Sequence, residues 1–399
     1  MKARPDRERT TQAAWALAFA AVFGLALAAR TVGLPLERHV FDGHEADYLR
    51  VFQGAPVPAS TRLYPLLAGL YGALGRWTQD PAWLLRLNAL AGALGASLGG
   101  VAIARRWGLR AGLCAAALLA LSPPHVAWSG SAYNVMIPQA LLLAAVAARG
   151  AWGVPLYALA CGMRVELALL APAVALVAGW RTALGAVGGL GVWGLLPTAP
   201  SLRPLSLTLP ANLQLTGMIG PLGSLWGLAL AGLALQRRTR PLLAAAAWTH
   251  LIAAGFDDQG DRHLLFAGFA LSGLIASGQG WRRWLVLPAL GLSLHGFWQL
   301  NMRYYADVDA FRATLPVEGP PPTDCVEILD DPLAPQSHWR YRGAWPEGRL
   351  CWGEEAIHHA WTSRGLHDRA LRMKALYDPE PVGVQELPGG PRLIWALHP

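Results

Sequence analysis

From residue 12 to about residue 300 the chain reads as apolar runs of roughly 15–22 residues separated by short polar clusters. Runs of this length with few internal charges are how helices that cross a hydrocarbon layer look in sequence. Eleven are expected, at Thr11–Val32, Trp83–Ala104, Ala111–Leu121, Val135–Ala148, Trp152–Cys161, Val165–Trp180, Ala183–Leu196, Met218–Leu235, Pro241–Ala254, Leu264–Ser277 and Trp284–Leu300. Several are short, which places their polar ends within the interfacial zone. Tyr64–Trp77 is also apolar, but it reads as a helix lying in the interface plane with Arg76 and Trp77 as anchors. Beyond residue 300 ordinary charge alternation returns. Asp324–Leu329 reads there as a strand, Glu354–Leu376 as a helix, and Val382–Leu387 with Arg392–Leu397 as a hairpin turned through Pro388-Gly389-Gly390-Pro391. The expected fold is a polytopic α-helical membrane protein of about eleven transmembrane helices (1–300), followed by a small soluble α/β domain (301–399).

Composition supports this and removes other classes. Hydrophobic residues make up 54% of the 399 positions and charged residues 15%, against about 25% charge in soluble domains. The formal charge of +8 sits in small clusters between apolar runs, with no basic stripe or aromatic-basic module, so nucleic acid is not an expected partner. Lys2, Arg4, Arg7 and Arg9 precede the run Ala13–Ala29, and Ala26-Leu27-Ala28 resembles a signal-peptidase site. A retained first span is the reading preferred, because the run is long enough to cross and many more follow.

Charge then assigns sides. With Tyr64–Trp77 left out of the spans, the clusters Arg105-Arg106…Arg110, Arg149, Arg181, Arg237-Arg238…Arg240 and Arg282-Arg283 all fall on the N-terminal side. Between positions 10 and 300 the acids are Glu37, Asp42, Glu45, Asp47, Asp80, Glu166, Asp257, Asp258 and Asp261, and all fall at the opposite face. The expected topology is N-terminus cytoplasmic and tail periplasmic or extracellular. Ionisable groups beside spans are costly and mark sites, so chemistry is expected at the outer boundary. A transporter would place charges near mid-membrane and show two related halves, and neither is visible.

Four outer segments hold the candidate chemistry. Phe41-Asp42-Gly43-His44-Glu45-Ala46-Asp47-Tyr48 puts three carboxylates and a histidine into a first loop. Its plain reading is solvated charge; its functional reading is a general base, with a divalent cation (Mg or Mn) on Asp42 and Glu45 if a metal takes part. Ser122–Asn134 is a proline-broken, aromatic loop that includes His125 and Tyr133 and carries no acid. Arg164 and Glu166 lie between two spans, as a site or as a mutual ion pair. Asp257-Asp258-Gln259-Gly260-Asp261-Arg262-His263 holds a guanidinium suited to bidentate phosphate binding, or is a surface turn obeying interfacial preference.

Other patterns are set aside. Gly189-Leu190-Gly191-Val192-Trp193-Gly194 matches a dinucleotide fingerprint but lies inside a span with no strand before it, so helix packing explains it. Gly95…Gly99 and Gly223…Gly227 read likewise as packing spacings, and Cys114 and Cys161 as inert small hydrophobes. Cys325 and Cys351 in the outer tail are expected to pair as a disulfide.

Taken together, the first loop, Tyr64-Pro65-Leu66-Leu67, Arg86-Leu87-Asn88-Ala89-Leu90-Ala91-Gly92, Ala104-Arg105-Arg106-Trp107-Gly108-Leu109-Arg110 and Leu121-Ser122-Pro123-Pro124-His125 give the chain a known look. From Phe41 to about Asn134 it resembles the GT-C integral-membrane glycosyltransferases, in the branch of the protein O-mannosyltransferases and the aminoarabinose transferase. Gly162-Met163-Arg164-Val165-Glu166 and Asp261-Arg262-His263 are similar to later outer-face positions of that family.

The resemblance implies a hexosyl- or pentosyltransferase of a bacterial inner membrane, using a polyprenyl-phosphate-linked sugar and an unidentified glycan, lipid or protein acceptor. The base would come from Asp42, Glu45 and Asp47, the donor phosphate would meet Arg164, Arg262, His263 and His44, and Tyr48, Tyr133 and Glu166 would contact substrate. One departure stands out. The family has an adjacent Asp-Glu pair where this chain reads His44-Glu45, so Asp42 supplies the second carboxylate or Glu45 acts alone. The alternative function is a non-catalytic transport or envelope-assembly protein; an O-antigen-ligase-like enzyme would place its main loop late in the chain.

Overall fold

Helix occurs in every one of the eleven apolar segments. The computed structural model describes residues 5–31, 48, 51–54, 64–80, 82–130, 135–195, 225–254, 264–299 and the strand residues 325–330, 338–341, 381–386 and 392–397. The helices are α1 (Pro5–Thr31), α2 (Pro65–Thr78), α3 (Ala82–Trp107), α4 (Leu109–Ala120), α5 (Pro123–Ser129), α6 (Met136–Ala148) and α7 (Gly150–Met163). They continue with α8 (Ala171–Ala178), α9 (Trp180–Ala183), α10 (Gly185–Leu195), α11 (Leu225–Ala234), α12 (Arg240–Ala254), α13 (Leu265–Ala276) and α14 (Val286–Gln299). The protein is predominantly helical.

Crossing length is a different matter. Among the described residues α3 is the one helix both long and apolar enough to cross a membrane, with 26 residues, or about 39 Å at 1.5 Å per residue. The apolar stretches Trp15–Thr31, α4, α6, Val165–Ala178 and α13 are 10–17 residues long. A helix of that size covers at most about 26 Å, short of a hydrocarbon core of about 30 Å. The expectation of eleven spans therefore matches the number of helical segments and not their lengths. The helices change over at Gly108 (φ 93°), between α3 and α4, and at Gly179 (φ 98°), between α8 and α9, both beside the arginines that bound the expected segments.

Two ends of the bundle differ in chemistry. At one, arginines close the C-terminal carbonyls of neighbouring helices. Arg105 donates to Ala147 of α6, Arg106 to Leu176 and Val177 of α8 at 3.3 Å, Arg238 to Ser277 after α13 at 3.0 Å, and Arg110 to Arg283 at 3.1 Å. Cations complement the negative ends of helix dipoles there. Arg149 shares this end, and burial together with Arg106 and Arg105 lowers its pKa. The other end gathers the C-termini of α1, α4 and α7 and the start of α3, where Asp80 accepts the Ala82 N–H at 3.0 Å and pairs with Arg86 at 3.0 Å.

Small residues set the packing between α3 and α4. A Cβ on Gly100 would sit 2.5 Å from that of Ala116, and one on Gly112 2.4 Å from that of Ala104, so the backbones approach as closely as in small-residue membrane helix pairs. Gly189 presses on Cys161 in the same way at 2.3 Å, while Gly191 and Gly194 meet nothing within 4 Å. The fingerprint-like glycines thus lie in a helix and contribute packing at one position.

The helix expected at Tyr64–Trp77 is α2. It buries Leu67, Ala68 and Tyr71 against Tyr48, Val51, Phe52, Leu84 and Leu85, and leaves Trp77 exposed. A Cβ on Gly75 would lie 1.8 Å from the Phe52 carbonyl oxygen. Gly75→Ala is therefore expected to push α2 off this cluster and cost about 1–3 kcal/mol, as overpacking does. Gly69→Ala on the same helix meets nothing within 4 Å and serves as control. Equal thermal midpoints for the two variants would refute the close approach.

In the tail an antiparallel sheet runs in the order β2-β1-β4-β3, with β1 Cys325–Asp330, β2 His338–Tyr341, β3 Pro381–Glu386 and β4 Arg392–Leu397. Ile394 of β4 is paired with Ile328 of β1 and with Val384 of β3. The expected strand and hairpin fall on β1, β3 and β4; β2 was not foreseen. Cys325 opens β1, whereas Cys351 and the helix expected at Glu354–Leu376 lie outside the described residues.

Candidate functional site

The end of the bundle opposite the arginine carbonyl caps brings together side chains from three distant segments. α7 stops at Met163 because Arg164 is extended (φ −154°, ψ 102°), and the chain resumes as a 3₁₀ turn, Val165–Leu170, with Glu166 in its first turn. Tyr64 stands just before Pro65, whose ring suits the first position of α2. The Tyr64 hydroxyl donates to Glu166 Oε1 in a short hydrogen bond. Arg164 Nε lies 3.8 Å from Glu166 Oε2, close enough to pair in charge and too far to hydrogen-bond. Arg164 is 3% exposed. Glu166 Oε2 takes no hydrogen bond.

Tyrosines connect this pair to α3. The Tyr64 backbone N–H donates to the Tyr48 hydroxyl oxygen at 3.3 Å. Tyr48 meets Tyr71 edge-on, with centroids 5.2 Å apart. Asn88 Nδ2 donates to the Tyr71 hydroxyl at 2.7 Å and to the Leu84 carbonyl at 2.8 Å. Tyr64 also stacks edge-on against Trp193 at 5.7 Å, and Trp193 is held by a bond from its indole N–H to the Cys161 carbonyl at 2.9 Å.

Burial is the main influence that raises the Tyr48 phenol pKa far above its usual value, the Tyr64 N–H opposes it, and Tyr71 and Glu166 add to it while Arg164 subtracts. Tyr48 therefore keeps its proton and remains a donor. The cluster so offers a guanidinium, a phenol O–H and a carboxylate oxygen that accepts no bond, a donor–acceptor set suited to sugar hydroxyls or to phosphate.

Beside it, one turn along α3 at Gly92, lies a second polar knot. Arg30 at the end of α1 donates from Nε to Ser129 Oγ at 2.9 Å and from Nη1 to the Ala26 and Ala120 carbonyls at 2.7 and 3.0 Å. Its Nη2 meets His125 Nδ1 at 2.8 Å. A Cβ on Gly92 would fall 2.0 Å from Ser129 Oγ and 2.8 Å from Arg30 Nε, so this knot fills the space of the missing side chain.

Of the residues singled out in the sequence, Tyr48, Arg164 and Glu166 are thus brought together. Asp42, His44, Glu45, Asp47, Tyr133, Arg262 and His263 lie outside the described residues. Among the described residues no group of three or more His, Cys, Asp or Glu side chains stands in metal-ligand proximity; the suggested cation ligands Asp42 and Glu45 are not among those residues. Arg30 joined the picture only through the fold; Tyr64, Asn88, Ser129 and His125 stood in segments marked in the sequence, but their partners came from the fold. The one signal for Arg30 was its charge in the last turn of an apolar run. No protein-family model, curated protein or solved structure matches the chain.

Proposed function

We propose that the chain is an integral-membrane glycosyltransferase of GT-C type that moves a sugar from a polyprenyl-phosphate-linked donor to a glycan, lipid or protein acceptor at the outer face of a bacterial inner membrane. The observation that carries this reading is the convergence of Tyr48, Tyr64, Arg164 and Glu166 at the end of the bundle opposite the arginines. Cations collected at one end agree with a cytoplasmic side, and the acid–tyrosine cluster at the other with an outward-facing site.

The flanks fit a lipid surround. Leu17, Val187, Leu195 and Leu287 are exposed along them. Exposed Trp180, Trp281 and Trp284 mark the arginine end, each beside Arg181, Arg282 or Arg283, and Trp77 and Trp83 mark the other. Trp83 and Trp107 of α3 are about 36 Å apart along the axis, close to the spacing of interfacial aromatic belts. On this reading the shorter helices cross with help from their capping turns and interfacial residues, in a bundle of about eleven.

In the reaction the acceptor hydroxyl attacks the sugar C1. Its proton passes to a first-loop carboxylate, from among Asp42, Glu45 and Asp47, while the C1–O bond to phosphate breaks and polyprenyl phosphate leaves. Arg164, with Arg262, His263 and His44, would bind the phosphate; Tyr48, Tyr133 and Glu166 would hold the sugar or acceptor. If a divalent cation takes part, Mg or Mn, Asp42 and Glu45 would hold it. The test is incubation of the purified full chain, in lipid, with polyprenyl-phosphate-linked hexoses and pentoses, with detection of released polyprenyl phosphate. Release that depends on the chain and an acceptor supports the reading. Donor binding without any release favours the alternative of a non-catalytic transport or assembly protein, for which the His44-Glu45 departure is the observation in favour.

A further inference from the structure

Arg30 is completely buried, and its partners are all neutral. Burying a guanidinium costs several kcal/mol unless its donors are met. Here the Ala120 carbonyl, the last of α4, and the Ala26 carbonyl, one turn back along α1, take both Nη1 protons, and Ala120 offers the negative end of a helix dipole. Ser129 Oγ takes the Nε proton while its own hydroxyl donates to the His125 carbonyl. One side chain thereby ties α5 to α1 and α4, against the bare backbone of α3 at Gly92.

The last partner has a consequence. A guanidinium can only donate, so His125 Nδ1 must accept, and the imidazole is neutral with its proton on Nε2. His125 is 1% exposed. If Nδ1 took a proton, an N–H would face Nη2 at hydrogen-bond distance, with two positive charges in contact.

We infer that Arg30 is a positioning residue for the site at this end of the bundle, fixing α5 against α1, α3 and α4, and that the hold lasts only while His125 is neutral. The route to the site runs through α3: Asn88, one turn from Gly92, holds the Tyr71 hydroxyl, and Tyr71 backs Tyr48. Consequences for sugar transfer rest on the proposed function; the lock does not.

Among the described residues the charges around His125 are few. α5 packs on α1, α3, α4 and α14, and its Trp128 also on α6 and α13, which carry no titratable residue. From α1 comes Arg30. On α3, Arg86 is paired with Asp80, and Arg105 and Arg106 lie at the other end of the bundle with Arg110 of α4. Cys114 sits nearly two turns before Ala120 on α4, and His295 is the one titratable residue of α14. The charge acting on His125 is that of Arg30.

Burial first, then Arg30, holds His125 well below the usual imidazole range. The unfolded or unlatched chain takes up a proton near pH 6.5 that the native state refuses. Stability from the lock is therefore complete above about pH 6.5 and is lost as pH falls below it, with latch opening rising about tenfold per pH unit.

The experiment uses the full chain in lipid nanodiscs between pH 8 and pH 5. Backbone hydrogen exchange over residues 123–130, corrected for the intrinsic pH dependence, is compared between the wild type and His125→Asn. Asparagine places Oδ1 where Nδ1 stands and does not titrate. The wild type is expected to lose protection about tenfold per unit below pH 6.5, and His125→Asn to stay flat. The same pH dependence in both proteins would overturn the inference. Should His125→Asn not fold, ¹⁵N shifts of wild-type His125 at neutral pH decide: a bare Nδ1 with protonated Nε2 is expected, and the reverse tautomer or a charged ring overturns it. Neither readout needs donor or transfer, so loss of the lock and loss of the glycosyltransferase reading are separable.

Discussion

Arg164→Ala is expected to abolish donor-lipid binding and to lower stability by about 3–5 kcal/mol, the usual cost of leaving one member of a buried ion pair behind. The side chains of Arg164 and Glu166 are 4% and 17% exposed, so water replaces little of what is lost. Without Arg164, Glu166 keeps its bond from Tyr64 and no longer has the guanidinium beside Oε2. A double variant separates the two effects. Arg164→Met with Glu166→Gln removes both charges, so much of the stability should return, while a polyprenyl-phosphate-linked sugar should still fail to bind. Arg164→Lys keeps the charge without the planar fork and should recover binding only in part. Thermal midpoints and donor-lipid affinity in nanodiscs are the measurements. Unchanged affinity in Arg164→Ala would remove this residue from the donor site, whatever happened to the midpoint.

Why Arg164 and Glu166 were visible in the sequence and Arg30 was not is a matter of where their partners lie. Arg164 and Glu166 stand two positions apart between apolar runs, and charge in such a place is a local signal. Arg30 also ends an apolar run, but what buries it comes from 90 to 99 positions away, at Ala120, His125 and Ser129. Nothing near Arg30 announces those acceptors. Tyr64 shows the same limit: it reads as the first residue of an apolar helix, and its partner Glu166 is 102 positions on.

The apolar runs were legible as helices because hydrophobicity and helical propensity agree along them. Whether each crosses was less so: Ala111–Leu121 is as short in the sequence as α4 is in the structure, and a hydropathy pattern does not say where the ends of so short a helix sit in a bilayer. In the tail, β1 and the β3–β4 hairpin were readable from β-branched runs around Pro388-Gly389-Gly390-Pro391. The four residues of β2, His338-Trp339-Arg340-Tyr341, are too short a run to stand out beside them.

The largest effect on chemistry is expected in the first loop. Losing the base should lower sugar transfer by about 10²–10⁴-fold while donor binding survives, because a general base acts on the acceptor proton in the transition state and contributes little to ground-state affinity. Asp42, Glu45 and Asp47 cannot all fill that role. If the stretch is helical, Asp42 and Glu45 are three apart and share a face, whereas Asp47 points elsewhere. Two carboxylates so close either raise one pKa or together hold a divalent cation, and both outcomes favour attack by a hydroxyl. Asp42→Asn and Glu45→Gln should therefore cost far more than Asp47→Asn. Restoration of transfer by added Mg or Mn in the wild type after chelation would favour the metal form of the pair. The measurements are transfer rate and donor affinity for the three variants, each checked for folding by its thermal midpoint. Loss of transfer in Asp47→Asn alone would reverse the ranking. Full transfer in all three would remove this loop from the chemistry and leave Glu166, with its Oε2 free of hydrogen bonds, as the carboxylate to test next.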